Sequence, residues 1–357
     1  MVRAVVVHEW LTNQAGSEKV VGSLRRLLPG APVHTSMCFA PEFPGWDPVV
    51  TTFLQRAATG PSAHQRVLPL IPLALRSLHL PEADVVVTSF HSFALHARVP
   101  DGTPNVVYCH TPPRFLWATE QLAGERGWAR AGVLDVAGRW LRPADRRRSR
   151  RADVFVANSS AVARRIQEAY GREAEVVHPP VDVARFQEAV GKPKGDYHLV
   201  ISRLVPYKRV DLAVAAFAEL GSPLLVVGEG RSRQELEGRA PGNVRFVGRV
   251  PDEDLPALVA GARGLVFCGE EDFGITLVEA MAAGTPVIAC ARGGALDSVT
   301  PEETGVLFDR QEPAVVAGAV RQAAAVEWDP ARLSARADRF DEARFHRQMA
   351  AVLDGVV

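Results

Sequence analysis

Short runs that are apolar at every position recur along this chain: VVV at 5–7, VVV at 85–87, LLVV at 224–227 and VIA at 287–289. A strand reads that way when helices cover both of its faces. Most runs are followed by a turn rich in Gly, Pro, Ser or Asn and then by a stretch of helical period, the alternation of parallel sheets wrapped by helices. The pattern predicts strands at Ala4–Val7, Pro32–Ser36, Val49–Phe53, Asp84–Thr88, Asn105–Cys109, Asp153–Ala157 and Glu175–His178. The rhythm then restarts with His198–Ser202, Leu224–Val227, Val244–Val247, Leu265–Cys268, Val287–Ala289 and Val306–Phe308. Beyond Phe308 helical patterns continue, with Pro313, Pro330 and Asp341 as breaks or caps.

Between the halves lies VGKPKGDY at 190–197, which has little to bury and marks a domain boundary. The expected architecture is α/β, with two doubly wound parallel-sheet domains at 1–189 and 190–340. A length of 357 residues suits two cores rather than one.

Composition narrows the class without naming a function. Hydrophobic residues make 47% and charged residues 23%, and no stretch nears the roughly 20 apolar residues that span a bilayer, so a soluble globular protein is expected. The apolar run near the N-terminus is too short for a secretory leader, which predicts a cytoplasmic protein. Cys38, Cys109, Cys268 and Cys290 stand far apart beside apolar runs and read as reduced core thiols. The formal net charge is zero, but residues 1–190 carry 22 Lys and Arg against 17 Asp and Glu, leaving 19 against 24 in the rest. That asymmetry fits an anionic surface or partner for the first half.

Ligands of doubly wound sheets bind at the carboxyl ends of the strands, so the residues just after the apolar runs carry the chemistry. In GLVFCGEEDFGITLVEAMAAGTPVIACA (264–291), every residue from Ile275 to Ala291 is apolar, small or neutral except Glu279. A carboxylate there needs a partner. Either an internal ion pair or capping contact, or the hydroxyls of a ligand, would supply it. Eight positions earlier Glu271 lies in the loop before the same helix. Between them Phe273, Gly274, Ile275 and Thr276 offer backbone N–H groups at a helix N-terminus, a setting suited to phosphate.

In LVISRLVPYKRVDLAVAAF (199–217), Arg203 and Lys208 flank the turn after a strand. Two cations there would neutralise a diphosphate, or else form a solvated surface pair. In NVVYCHTPPRFLW (105–117), His110 ends a strand and Arg114 follows the turn. Gly16 opens a helix after the first strand. Asp252-Glu253-Asp254 resembles a metal-binding triplet but follows Pro251 at a helix start, where acidic residues cap, so no metal is expected. Gly228-Glu229-Gly230 lacks the third glycine of a dinucleotide fingerprint. Arg139–Arg151 holds seven arginines against one aspartate, with Trp140 and Leu141 among them. It reads equally as a solvated helix face or as a patch for anionic lipid or a pyrophosphate-linked acceptor.

Together these segments resemble the retaining GT-B glycosyltransferases marked by an E-x7-E motif, here Glu271 and Glu279, alongside SRLVPYKRVD, VVGEG, VRFVGRV and GTPVIA. Through GSEKV, YCHTPPRFLW and VVHPPVDVARF the first half is most similar to bacterial mannosyltransferases of O-antigen and capsule assembly. The resemblance implies a cleft between the two domains and a C-terminal helix, 341–357, packing back on the first. It implies transfer of a hexose, mannose from GDP-mannose first, from a GDP- or UDP-sugar to a glycan, lipid-linked or small-molecule acceptor, with no other cofactor and no nucleic acid. In that scheme Glu279 binds the donor ribose and Glu271 the sugar hydroxyls. Arg203 and Lys208 hold the diphosphate, with backbone help from Gly274, Ile275, Thr276 and Gly16, and the chain near Val250 lies against the base. His110 and Arg114 approach the sugar or acceptor. Two other readings stay open: a GT-B isomerase or phosphorylase of sugar nucleotides or sugar phosphates, and a catalytically silent sugar-nucleotide binder.

Overall fold

The computed structural model describes residues 2–118 and 128–357, without the side chains of 128–137 and 139. Two parallel sheets carry the chain. The first contains β1 (Ala4–His8), β2 (Val33–Thr35), β3 (Val49–Val50), β4 (Val85–Phe90), β5 (Asn105–Cys109), β6 (Val154–Ala157) and β7 (Glu175–Val176), in the order β3-β2-β1-β4-β5-β6-β7. The second contains β8 (His198–Ile201), β9 (Leu224–Val227), β10 (Val244–Gly248), β11 (Leu265–Phe267), β12 (Val287–Cys290) and β13 (Gly305–Phe308), in the order β10-β9-β8-β11-β12-β13. Both are Rossmann-like, with helices between most successive parallel strands.

The unbroken apolar runs are explained by two-sided burial. In β12, Val287 and Ala289 enter one core while Ile288 and Cys290 enter the core on the opposite face. In β1, Val6 and its neighbours Val5 and Val7 divide in the same way. The four cysteines are buried and form no disulfide.

Every expected strand is present, but some ends differ. The strand expected over Val49–Phe53 stops at Val50, because the Thr52 hydroxyl accepts the Leu54 N–H at 3.2 Å and starts a 3₁₀ turn at Phe53–Ala57. β7 stops at Val176, three residues before Pro179 of the Pro179-Pro180 pair. Pro313 and Pro330 begin the helices Pro313–Ala324 and Pro330–Ala337, where a missing N–H costs nothing.

The chain divides into two compact units. One comprises the described residues up to Pro180 together with Glu342–Val357, and the other runs Val181–Asp341. Helix Glu342–Asp354 places Phe345, Met349, Val352 and Leu353 in the first unit's core. Its His346 Nε2 lies 2.9 Å from the Ser23 Oγ. The polar stretch 190–197 belongs to the second unit, where Lys194 Nζ donates to the Thr285 hydroxyl at 2.8 Å and the Tyr197 hydroxyl donates to the Leu258 carbonyl at 2.7 Å.

Candidate functional site

In each sheet the strand order reverses at one point, between β1 and β4 and between β8 and β11. The loops leaving those strands diverge there and open a crevice for ligands.

At the second sheet, β8 runs into a 3₁₀ turn, Pro206–Lys208, and then the helix Val210–Leu220. β11 runs into the loop carrying Glu271. Lys208 is buried and forms an ion pair with Glu271. The pairing depends on Gly269: a Cβ at that position would lie 2.9 Å from the Lys208 carbonyl oxygen and 3.0 Å from its Cα. Tyr207 joins the second cation to the first. Its hydroxyl accepts from an Arg203 guanidinium N–H at 2.6 Å, and its ring lies 4.9 Å beneath the Lys208 ammonium. Arg203 itself is exposed. Of the two cations expected to face a diphosphate, one is therefore solvated and the other is already held by a carboxylate.

The Glu271 loop is pinned from behind, its carbonyl accepting the Gly294 N–H at 2.9 Å, while Gln311 Nε2 donates to the Cys268 carbonyl at 2.7 Å. Gly274 takes φ +88°, a left-handed conformation, and starts the helix Ile275–Ala282. Ile275 and Thr276 lie in the first turn with partial exposure, whereas Phe273 is buried against Phe340, ring centroids 5.4 Å apart. Glu279 is half-buried on this helix, between the fully buried Val278 and Ala280. Val250 follows β10, half-buried against the same core. Asp252–Asp254 forms an exposed 3₁₀ turn before the helix Leu255–Ala260.

At the first sheet, His8 and Glu9 end β1 and follow it, Ser89 lies in β4, and His91 and His110 follow β4 and β5. Glu9 is fully buried, and its carboxylate accepts the backbone N–H groups of His91, Ser92 and Phe93 at 3.0, 2.8 and 2.7 Å. Three such bonds anchor the turn after β4. Ser89 Oγ lies 3.0 Å from His8 Nδ1 and 2.8 Å from His110 Nε2. His8 Nε2 in turn faces Glu18 Oε1 at 3.6 Å. Trp10 stacks on His64 at 4.6 Å and meets His91 edge-on at 4.9 Å. Burial pushes the His91 imidazole below its ordinary value. Gly16 begins the helix Gly16–Leu27, which carries Glu18 in its first turn, and Arg114 begins the short helix Arg114–Trp117. Among the described residues no group of His, Cys, Asp and Glu is arranged to hold a metal ion.

The sequence reading missed Tyr207 and the set His8, Glu9, Glu18, Ser89 and His91. His8 directly follows an apolar run, and Glu9, Ser89 and His91 lie within a few positions of one, so the strand-end rule that selected His110 reaches them too.

The arginine-rich segment is mixed. In the helix Trp128–Ser149, Asp145 is buried and accepts from Trp117 Nε1 at 2.8 Å and the Tyr170 hydroxyl at 2.9 Å. Arg142 and Arg146 lie over the Trp117 ring at 5.5 and 5.0 Å. Trp140 is 82% exposed beside exposed Leu141 and Arg147, and the Arg139 side chain lies outside the described residues. No described helix is long and apolar enough to cross a membrane.

The profile of the family "Glycosyl transferases group 1" matches residues 182–340, and that of "Glycosyltransferase Family 4" matches residues 15–185. The chain is 29% identical over 356 residues to the GDP-mannose-dependent alpha-(1-6)-phosphatidylinositol monomannoside mannosyltransferase of Mycobacterium tuberculosis, spanning 89% of this chain and 88% of that protein. It is 33% identical over 202 residues to a D-inositol 3-phosphate glycosyltransferase of Salinispora arenicola, 46% of this chain and 45% of that one. Among solved structures, HepE of Anabaena in complex with UDP and glucose aligns over 99% of this chain and 100% of its own, with a TM-score of 0.71 at 18% identity. Sucrose-phosphate synthase of Thermosynechococcus elongatus aligns over 99% of each chain with a TM-score of 0.76 at 19% identity. Both structural matches are likenesses of fold.

Proposed function

Because this chain belongs to the group 1 glycosyltransferases of GT-B fold, we propose that it is a retaining hexosyltransferase, moving mannose from GDP-mannose to a glycan, lipid-linked or small-molecule acceptor. The observation that carries the reading is the Lys208–Glu271 pair at the second switch point, with Arg203 beside it and the N-terminus of the helix Ile275–Ala282 leading from the Glu271 loop. Lys208, Arg203 and the N–H groups of Gly274, Ile275 and Thr276 meet the charge of the diphosphate. Glu271 gives up part of its hold on Lys208 and accepts from sugar hydroxyls, and Glu279 accepts from the ribose. Val250 lies toward the base, and Gly16, His110 and Arg114 serve the sugar and the acceptor. The bond from the anomeric carbon to the diphosphate breaks, the acceptor oxygen bonds the same face, and its proton leaves on a phosphate oxygen. No cofactor besides the donor is required in this reading. The choice of GDP-mannose is supported by the name of the mycobacterial relative.

Thermal-shift titration with GDP, UDP and their sugars, followed by transfer assays, tests it: GDP-mannose should raise the melting temperature most. Glu271→Ala should abolish transfer and leave GDP binding largely intact; a fully active variant overturns the assignment. Conversion of the donor without acceptor would mark an isomerase instead, and binding without turnover a silent protein. The same reading includes peripheral contact of the exposed Trp140, Leu141 and neighbouring arginines with an anionic membrane. Flotation with phosphatidylglycerol vesicles, lost in Trp140→Ala/Leu141→Ser, checks that contact.

A further inference from the structure

The first unit has a second concave surface, at the edge of its sheet opposite the switch point. The segments leading into β4, β5 and β6 border a cleft of about 980 Å³, at the upper end of the size range of small-molecule sites. Arg76, Arg98 and Arg151 line it from three separate segments, and Asp101 is the only acid among the described lining residues. Its apolar lining includes Leu73, 60% exposed, and the half-buried Leu80 and Val99.

Other charged groups at this edge already have partners. Asp84, just before β4, accepts the Arg3 backbone N–H and a guanidinium N–H, each at 2.8 Å. Asp153, just before β6, accepts the Asn105 N–H at 2.7 Å. Arg172 donates to the Ala152 and Asp153 carbonyls, both at 3.0 Å. By contrast Arg76, Arg98 and Arg151 are exposed, and none of their guanidiniums forms an ion pair or a hydrogen bond among the described residues. A fourth cation lies within their reach. Burial first, and then the like charges of Arg147, Arg151 and Arg76, push the Arg148 guanidinium below its ordinary value, with Asp145 opposing.

The sequence offers little local relief, since no Asp or Glu stands between Pro48 and Pro81. Arg148 lies in the last turn of its helix, where a cation meets the helix dipole, but Arg98 and Arg151 lie outside helices and have no such reason. A concave surface lined by one sign of charge concentrates anions. A carboxylate would bring two oxygens and a single charge. A phosphate monoester brings three terminal oxygens and a charge of about −1.5 to −2, which guanidinium forks match in geometry. Three guanidiniums from three segments suit the phosphate.

We propose that the cleft ahead of β4, β5 and β6 binds the phosphate monoester of an amphipathic molecule, with Arg76, Arg98 and Arg151 on the phosphate and the carbon part against Leu73, Leu80 and Val99. The inference does not rest on the transferase reading, because none of these residues serves the donor.

Titration calorimetry of the full chain tests it with two probes. One is dihexanoyl phosphatidic acid, kept below its micellar concentration so that no membrane surface is present, and the other is glycerol 3-phosphate. One equivalent of the lipid should bind, and glycerol 3-phosphate should bind at the same site more weakly. Arg98→Gln and Arg151→Gln should each weaken binding about tenfold, for one lost charge-assisted hydrogen bond, with native melting profiles because both side chains are exposed. Arg98→Lys keeps the charge without the fork and should fall between native and Arg98→Gln. Arg147→Gln, exposed on the same helix end but outside the cleft, should leave the affinity near native. GDP should displace neither probe, and Arg98→Gln should leave GDP binding unchanged. A chain that binds no GDP would sink the transferase reading and leave this test standing. Binding of the lipid alone would identify a lipid as the source, whereas equal affinity for both probes would overturn the apolar half of the inference in favour of a soluble ester. No binding of either probe, binding untouched by Arg98→Gln and Arg151→Gln, an equal loss in Arg147→Gln, or displacement by GDP overturns the site.

Discussion

The switch points of the two sheets share one backbone plan and hold different chemistry. Beyond β8 and β11 stand a cation held by a carboxylate, a solvated arginine and an exposed helix turn. Beyond β1, β4 and β5 stand imidazoles and carboxylates, mostly buried, whose hydrogen bonds run from one strand end to the next. The second arrangement can meet the charge of a phosphate. The first holds two buried carboxylates committed to hydrogen bonds within the unit and ties His8 and His110 to Ser89. Strand order chooses the place for function, and the residues at the strand ends choose between stabilising a charge and orienting a hydroxyl.

If that division is right, nucleotide affinity and turnover should separate by unit. The largest effect is expected for Lys208→Met, which removes a charge-stabilising donor and leaves Glu271 without its cation. Transfer should fall by about 10²–10³ in kcat, and GDP should no longer raise the melting temperature appreciably. Undiminished GDP binding would break the comparison at its stronger end. His110→Ala should be milder, about tenfold in kcat for a lost hydrogen bond, with GDP affinity unchanged by calorimetry. Equal losses of GDP affinity in both variants would mean that the two regions are not specialised as argued.

Glu9→Gln tests the scaffold of the first region rather than its chemistry. An amide can offer one oxygen where the carboxylate offers two, so at least one of the three N–H groups of His91, Ser92 and Phe93 loses its acceptor. A buried donor left unsatisfied costs roughly 1–3 kcal/mol, and each kcal/mol lowers the melting point of a domain of this size by about 2–4 °C. Calorimetry should show the loss in the first unit's transition alone. An unchanged melting profile would show that the turn after β4 is held by something other than Glu9.

The sheets were legible because two-sided burial builds most strands around a short run of apolar residues, and that signal survives without any knowledge of neighbours. The site was legible in part. Glu271, Lys208 and His110 stand where strands end, which sequence can locate, but the Lys208–Glu271 pair joins residues 63 positions apart and depends on close passage at Gly269. Nothing local announces such a contact. Glu18 was illegible for a similar reason: on its own helix it reads as an ordinary first-turn cap, and only the fold sets its second oxygen against His8. The polar stretch 190–197 shows the opposite error of locality, since a segment that looks loose in composition is tied down by Lys194 and Tyr197.

The smallest expected effect sharpens the contrast between histidines. His8 and His110 of the first region each share a hydrogen bond with Ser89, though His8 Nε2 is unpartnered, whereas His198, at the start of β8, is buried against Phe217 with its Nδ1 unpartnered. Burial, reinforced by the Arg263 charge, pushes its imidazole down to about 4. The folded value lies below the ordinary one near 6.5, so the unfolded chain binds the extra proton more readily. The group is without effect above about pH 6.5, and stability is lost as pH falls from there through about 4, by at most about 3 kcal/mol. His198→Leu removes the titration while filling the space. Hydrogen exchange along β8 and the helix Val210–Leu220 should then lose its acid sensitivity between about pH 6.5 and 4, while exchange along β1 and β4 keeps its native pH dependence. If β8 in the variant still opens as the native protein does on acidification, the acid sensitivity of the second unit has another source, and the difference between partnered and orphaned imidazoles does not govern it.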